Sequence, residues 1–192
     1  YDMYIKLLNE AILEQQGKAP EITPECLIDI RIDAFIPEKY ISNQAQRVDC
    51  YRKIAMIEND EDAYDVTDEL IDRYGDVPRA VEGLIEVAKL RRIAQKMHLT
   101  EIIQSGDVMI FYPEKTDKKT MERVSAVGGK FGKDMMLNIA TDKPNFRVNG
   151  TGKHGGPLAL LAATLAAMQS GGKDRGKDSD KENETEEGEN NG

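Results

Sequence analysis

The sequence predicts an α+β fold in which several helices pack on a small, largely antiparallel sheet. Two observations predict it. Apolar residues recur at helical spacing through most of the first hundred positions, and from Glu101 the period changes to two. Glycine and proline stand at the junctions between these runs, at Gly17, Gly75 and Pro78 among others. With 192 residues, 40% of them hydrophobic, the chain suffices for one compact domain with a real core and appendages.

The elements follow in order. Met3, Tyr4, Leu7, Leu8, Ala11 and Ile12 keep helical spacing, and Gly17 supplies the stop. Lys18 to Pro24, with two prolines, reads as a linker. Cys26 to Asp33 alternates, with Ile28, Ile30 and Ile32 on one face and Asp29, Arg31 and Asp33 on the other. That pattern predicts a half-buried strand, closed by Pro37. Ser42 is the expected N-cap of a helix carrying Ala45, Val48, Tyr51, Arg52, Ala55 and Met56 along one side. Asn59-Asp60 is read as its break. A second helix is expected from about Glu61 to Tyr74, with Gly75 as a left-handed C-cap. Pro78 opens a third in its first turn. That helix carries Val81, Leu84, Ile85 and Ala88, with Leu90 off the main stripe and Arg91 and Arg92 late, as the helix dipole prefers.

Ile102-Ile103, a turn around Ser105-Gly106-Asp107, and Val108 to Tyr112 predict a hairpin. Lys118 to Val127 reads as a short helix ended by Gly128-Gly129. Met135 to Ala140 and Asn145 to Val148 are two further strands. Pro157 to Gln169 is an Ala/Leu-rich helix, a composition that needs a covering partner. Residues 171–192 carry eight acidic and four basic residues and read as a disordered acidic tail. This tail holds −4 of the formal net charge of −9, so the globular part is only mildly acidic.

An acidic balance argues against binding dominated by a nucleic-acid backbone, which needs clustered Lys and Arg to release counterions. Cys26 and Cys50 belong to no CxxC pattern and are expected to be buried thiols of a reducing cytoplasm. No run of about 18 apolar residues is present, so no membrane-spanning helix is expected. The opening Tyr1-Asp2-Met3 has neither an initiator methionine nor a basic leader, and the chain is expected to be a piece of a longer protein.

Catalytic constellations are not found. A phosphate loop needs G-x-x-x-x-G-K-[ST]. Before Gly152-Lys153 the first glycine is replaced by Arg147, and before Gly129-Lys130 and Gly132-Lys133 by Val124 and Val127. Gly171 to Lys177 has the spacing, but Asp178 stands in place of the hydroxyl residue. His98 and His154, the only histidines, have no ligand at metal spacing, and no nucleophile elbow occurs. No metal or cofactor is therefore expected on this chain, and it is not expected to be an enzyme by itself.

One surface pattern remains. Asp65, Asp68, Glu69 and Asp72 are spaced i, i+3, i+4, i+7 and share a face, opposite Val66, Leu70 and Tyr74. Like charges so placed destabilise an isolated helix by a few tenths of a kcal/mol per pair. Two readings stand: an ordinary solvated face, or electrostatic docking onto a basic surface.

The run Asp33-Ala34-Phe35-Ile36-Pro37-Glu38-Lys39-Tyr40-Ile41 is followed by Gln46-Arg47-Val48 and Tyr51-Arg52-Lys53-Ile54-Ala55. Then come Glu69-Leu70-Ile71-Asp72-Arg73-Tyr74-Gly75 and Pro78. Together these resemble the C-terminal domain of the bacterial transcription-repair coupling factors, the Mfd family. The resemblance is strong to about residue 104, weaker to about 150 and absent beyond. Four ordered motifs at family-like spacing carry it.

The resemblance implies three parts. Residues 1–20 would be a helix and linker leaving an upstream translocase module, 21–170 a regulatory domain, and 171–192 the tail. It implies a cytoplasmic bacterial parent that uses ATP and magnesium upstream to translocate on double-stranded DNA, displaces stalled RNA polymerase and recruits UvrA. This domain, itself monomeric, would dock on the N-terminal UvrB-like module and hide its UvrA-binding surface. Glu69 and Asp72 are the acids the resemblance places in that contact, with Asp65 and Asp68 beside them. The alternative is a nucleic-acid accessory domain using Arg91, Arg92, Lys96 and the basic cluster from Lys115 to Lys133.

Overall fold

Three helices open by the same device, an Asx side chain that accepts a hydrogen bond from the amide three residues on. Asn43 Oδ1 takes Gln46 N–H at 3.1 Å, Asn59 Oδ1 takes Asp62 N–H at 2.9 Å, and Asp117 Oδ1 takes Thr120 N–H at 2.8 Å. The computed structural model describes residues 25–172. Within them lie α1 (Gln44–Ala55), α2 (Asp60–Tyr74), α3 (Arg79–Lys96), α4 (Lys118–Phe131) and α5 (Pro157–Gly171). The strands are β1 (Leu27–Asp29), β2 (Leu99–Ser105), β3 (Val108–Pro113), β4 (Met135–Asn138) and β5 (Asn145–Asn149). They form one sheet in the order β1-β2-β3-β5-β4, with β1 parallel to β2 and every other pair antiparallel. The α+β architecture with a largely antiparallel sheet is as expected. The expected helix at residues 3–12, the linker at 18–24 and the acidic tail beyond Gly172 lie outside the described residues.

Several local expectations are corrected. The strand read over residues 26–33 pairs with β2 only at Leu27–Asp29. By Arg31 the chain has left the ladder, and its amide donates to the Gln104 side chain at 2.8 Å instead. Asn43, not Ser42, caps α1, and its buried stripe is Cys50 and Ile54 rather than Ala45 and Met56, which are exposed. Asn59, read as a breaker, starts α2. Pro78 is the N-cap of α3 rather than its first residue. Helix α4 runs through Gly128-Gly129 because Val124, Val127 and Phe131 fall on one buried stripe. Burial of Phe131 outweighs the roughly 1 kcal/mol that each helical glycine costs.

The hydrophobic residues form two cores that share α3. Val81, Leu84, Ile85 and Ala88, from its first half, pack with α1, α2 and the segment around Ile36 and Ile41. Leu90, Ala94 and Met97, from its end, pack beneath the sheet with α4 and α5. Leu90, off the stripe in sequence, is buried because the helix changes neighbours along its length. In the sheet core the Phe111 and Phe146 rings stack at 4.8 Å. The partner that the Ala/Leu-rich α5 requires is α4. Close approach is built in at Gly171, where a Cβ would lie 2.7 Å from the Ala126 Cβ and 3.0 Å from the Glu122 carbonyl oxygen.

Candidate functional site

The motif segments, far apart in sequence, meet on one side of the helical core. Ile36 N–H donates to the Tyr51 hydroxyl at 2.9 Å. The Tyr40 hydroxyl reaches the end of α2, donating toward the carbonyls of Gly75 at 3.1 Å and Leu70 at 3.3 Å, and its ring meets Tyr74 edge-on. The Arg47 guanidinium donates to the carbonyls of Ile41 and Ser42 at 2.7 and 2.8 Å. Gly75 ends α2 at φ 81°, ψ −159°, a conformation outside the left-handed helical region expected for it and open in practice only to glycine. These contacts fix α2 against α1 and the Ile36–Ile41 turn, so whatever α2 presents outward is held on a rigid support.

Across the α1–α2 junction runs a ladder of alternating charge. Lys53 Nζ lies 3.5 Å from Asp49 and donates to both Glu69 oxygens at 2.6 and 2.9 Å. Arg73 Nη1 donates to Glu69 at 2.8 Å, and its guanidinium lies over the Tyr74 ring at 5.0 Å. The hydrogen bond from Lys53, then that from Arg73, holds the Glu69 carboxyl below its ordinary range. The hydrogen bond to Glu69 raises Lys53 in turn. Under the ladder lies a small cleft lined by Gln46, Cys50, Val66, Leu70 and Tyr74. Burial pushes the Cys50 thiol up to about 11, so it remains a protonated, inert side chain.

The structure therefore divides the four acids read as one stripe. Glu69 stands at the edge facing α1 and is held by two cations. Asp65, Asp68 and Asp72 are exposed, and their carboxylates have no hydrogen bond or ion pair among the described residues. Two exposed apolar side chains share their side of the helix, Tyr64 at 71% and Ile71 at 48%. Sequence reasoning missed both. The available signal was that Tyr64 and Ile71 are apolar yet fall off the Val66, Leu70, Tyr74 stripe, at i−4 and i+3 from Asp68. Nor did the sequence show Lys53 as the partner of Glu69, since that pairing crosses between helices.

The basic residues of the alternative reading are divided too. Arg92 is held by Glu58 at 2.6 Å, whereas Lys115, Lys118, Lys119, Lys130 and Lys133 are exposed near the two ends of α4. The Gly-rich loop before α5 is not arranged as a phosphate cradle. Asp107 accepts the amides of Gly150, Thr151 and Gly152, and Asp134 pairs with Lys153 and approaches His154 at 3.4 Å. No cluster of three or more His, Cys, Asp or Glu fit to hold a metal occurs among the described residues, and no described helix is long and apolar enough to cross a membrane.

A family profile for the TRCF domain matches residues 30–124, the stretch that holds α1, α2 and α3. The chain is 28% identical over 156 residues to the transcription-repair-coupling factor of Bacillus subtilis, a match covering 80% of this chain and 13% of that protein. It is 34% identical over 108 residues to that of Staphylococcus haemolyticus, covering 55% of this chain and 9% of that one. It thus spans only about a tenth of the length of such relatives. The crystal structure of a transcription-repair coupling factor C-terminal domain superimposes with a TM-score of 0.57 at 20% identity, covering 76% of this chain and 94% of that one. The fold is shared although four residues in five differ. The chain carries a TRCF domain over residues 30–124, is similar in sequence to transcription-repair-coupling factors, and shares the fold of a transcription-repair coupling factor C-terminal domain.

Proposed function

We propose that this chain is a regulatory domain that masks the N-terminal UvrB-like module of its parent coupling factor, closing its UvrA-binding surface until the parent is engaged. The parent would supply ATP-driven translocation on DNA, with magnesium, and displacement of stalled RNA polymerase in the bacterial cytoplasm. The observation that carries the reading is the outer side of α2. Asp65, Asp68 and Asp72 stand there as three unpaired carboxylates on a rigidly held helix. A basic surface meets such a face with complementary potential, which sets register and encounter rate.

The magnitudes suit a reversible mask. Exposed ion pairs contribute about 0–1 kcal/mol each, so a competing partner displaces three of them without needing exceptional affinity. Glu69, at the margin of the face, is already held by Lys53 and Arg73 and adds little to the contact. The test is charge reversal, with Asp68→Lys and Asp72→Lys combined in the full-length parent. The account expects UvrA binding to rise as the mask loosens. Unchanged UvrA binding in a normally folded double variant would place the contact elsewhere.

A further inference from the structure

Tyr64 is 71% exposed and Ile71 48% exposed in a helix whose remaining apolar positions are buried or half-buried. Both stand on the side of Asp68, one turn apart from it in opposite directions, and Glu61, Asp65 and Asp72 complete an acidic surround. The cations beside this surround, including Lys89, which interacts electrostatically with Tyr64, are already paired within the chain. Lys89 is engaged by Asp60 at 2.9 Å and Glu86 at 3.8 Å, and Arg73 by Glu69. An amphipathic aromatic beside an aliphatic side chain, rimmed by unpaired charges of one sign, has the anatomy of a docking patch, with an apolar centre and a polar rim.

We propose that Tyr64 and Ile71 are the anchors of this interface and that their partner is an apolar pocket rimmed by Arg or Lys on the masked module. The inference rests on the masking reading and adds to it what holds the contact. The rim selects the partner through charge complementarity. The Tyr64 ring and the Ile71 side chain lose water on docking and supply a component that salt does not screen. Tyrosine is among the residue types enriched at the energetic centres of such contacts, because it brings a large area at little cost in conformational freedom. The partner's basic rim would pair with Asp65, Asp68 and Asp72 and leave the Lys53–Glu69–Arg73 ladder closed.

Titration calorimetry of this chain against the isolated N-terminal module, at low and at high salt, tests it. Tyr64→Ala with Ile71→Ala is expected to weaken binding by about tenfold or more at both salt levels. Asp68→Asn with Asp72→Asn is expected to weaken it at low salt and to matter little at high salt. Both pairs lie on the surface, so thermal melts should match the parent chain. An apolar pair that binds normally while the acidic pair binds weakly would overturn the anchor and leave masking standing. Wild-type chain that does not bind, or binding indifferent to both pairs, would overturn masking as well. Self-association of the chain that is abolished by Tyr64→Ala would show the patch to be occupied by a second copy and would also overturn the assignment.

Discussion

The two long sides of α2 carry acids of the same kind and use them differently. On the side facing α1, Glu69 accepts from Lys53 and Arg73, and the Tyr40 hydroxyl ties the end of the same helix to the preceding turn. On the outer side Asp65, Asp68 and Asp72 meet only solvent, beside Tyr64 and Ile71. The difference separates residues that hold the helix in place from residues that the helix displays. A carboxylate already paired within the chain gives a partner little new interaction, because it must first release its own cations. A free carboxylate on a fixed backbone offers its whole field.

Substitutions that break the inner side should act on stability, and the largest effect belongs to the core beneath it. Leu70 is 4% exposed, and Leu70→Ala should cost about 2–5 kcal/mol in chemical denaturation. Tyr40→Phe deletes the hydroxyl that bonds the Leu70 and Gly75 carbonyls, and should cost about 0.5–1.5 kcal/mol by the same measurement. Glu69→Gln should cost less, about 1 kcal/mol at most, because the ladder is well exposed to solvent.

The pH dependence of that last effect is fixed in sign. The Glu69 carboxyl titrates below the ordinary value of a glutamate in the folded chain, held down by the hydrogen bonds from Lys53 and Arg73. Its contribution is therefore fully present above that value and is lost as the pH falls through the lower, folded pKa. The denaturation midpoints of the parent and Glu69→Gln chains should differ at neutral pH and converge in acid. A gap that persists in acid would assign the effect to packing instead of charge.

The smallest effect on stability belongs to the outer side. Asp68→Lys with Asp72→Lys should change stability by no more than about 0.5 kcal/mol. The sign should be slightly favourable, because the two lysines, although they repel each other, face the acids three residues before them, Asp65 and Glu69. Loss of several kcal/mol in that variant would mean that the outer acids also support the fold.

Much of this contrast was legible in the sequence. The spacing of Val66, Leu70 and Tyr74 located the core side of α2, and Gly75 and Pro78 located its end and the start of the next helix. The acids from Asp65 to Asp72 were visible as a group, because helical period is a local property. Their division was not, because Lys53 reaches Glu69 across sixteen positions of sequence and two helices. The long course of α4 through two glycines escaped for a related reason. It is decided by where Phe131 is buried, a tertiary fact that local propensity does not contain. The second core went unseen because α3 reads as a single amphipathic helix, although its two halves pack against different neighbours.

The most direct test compares one substitution from each side of α2. The affinity of this chain for the N-terminal module should be measured for Asp72→Lys and for Glu69→Gln, with folding verified for both. The account predicts that Asp72→Lys weakens binding by about tenfold, as a difference of roughly 1.4 kcal/mol requires. Glu69→Gln, whose parent carboxylate is already paired within the chain, should leave the affinity within about threefold, under 1 kcal/mol. Glu69→Gln weakening the contact as much as Asp72→Lys, in a chain that is still folded, would contradict the division between a holding side and a displaying side.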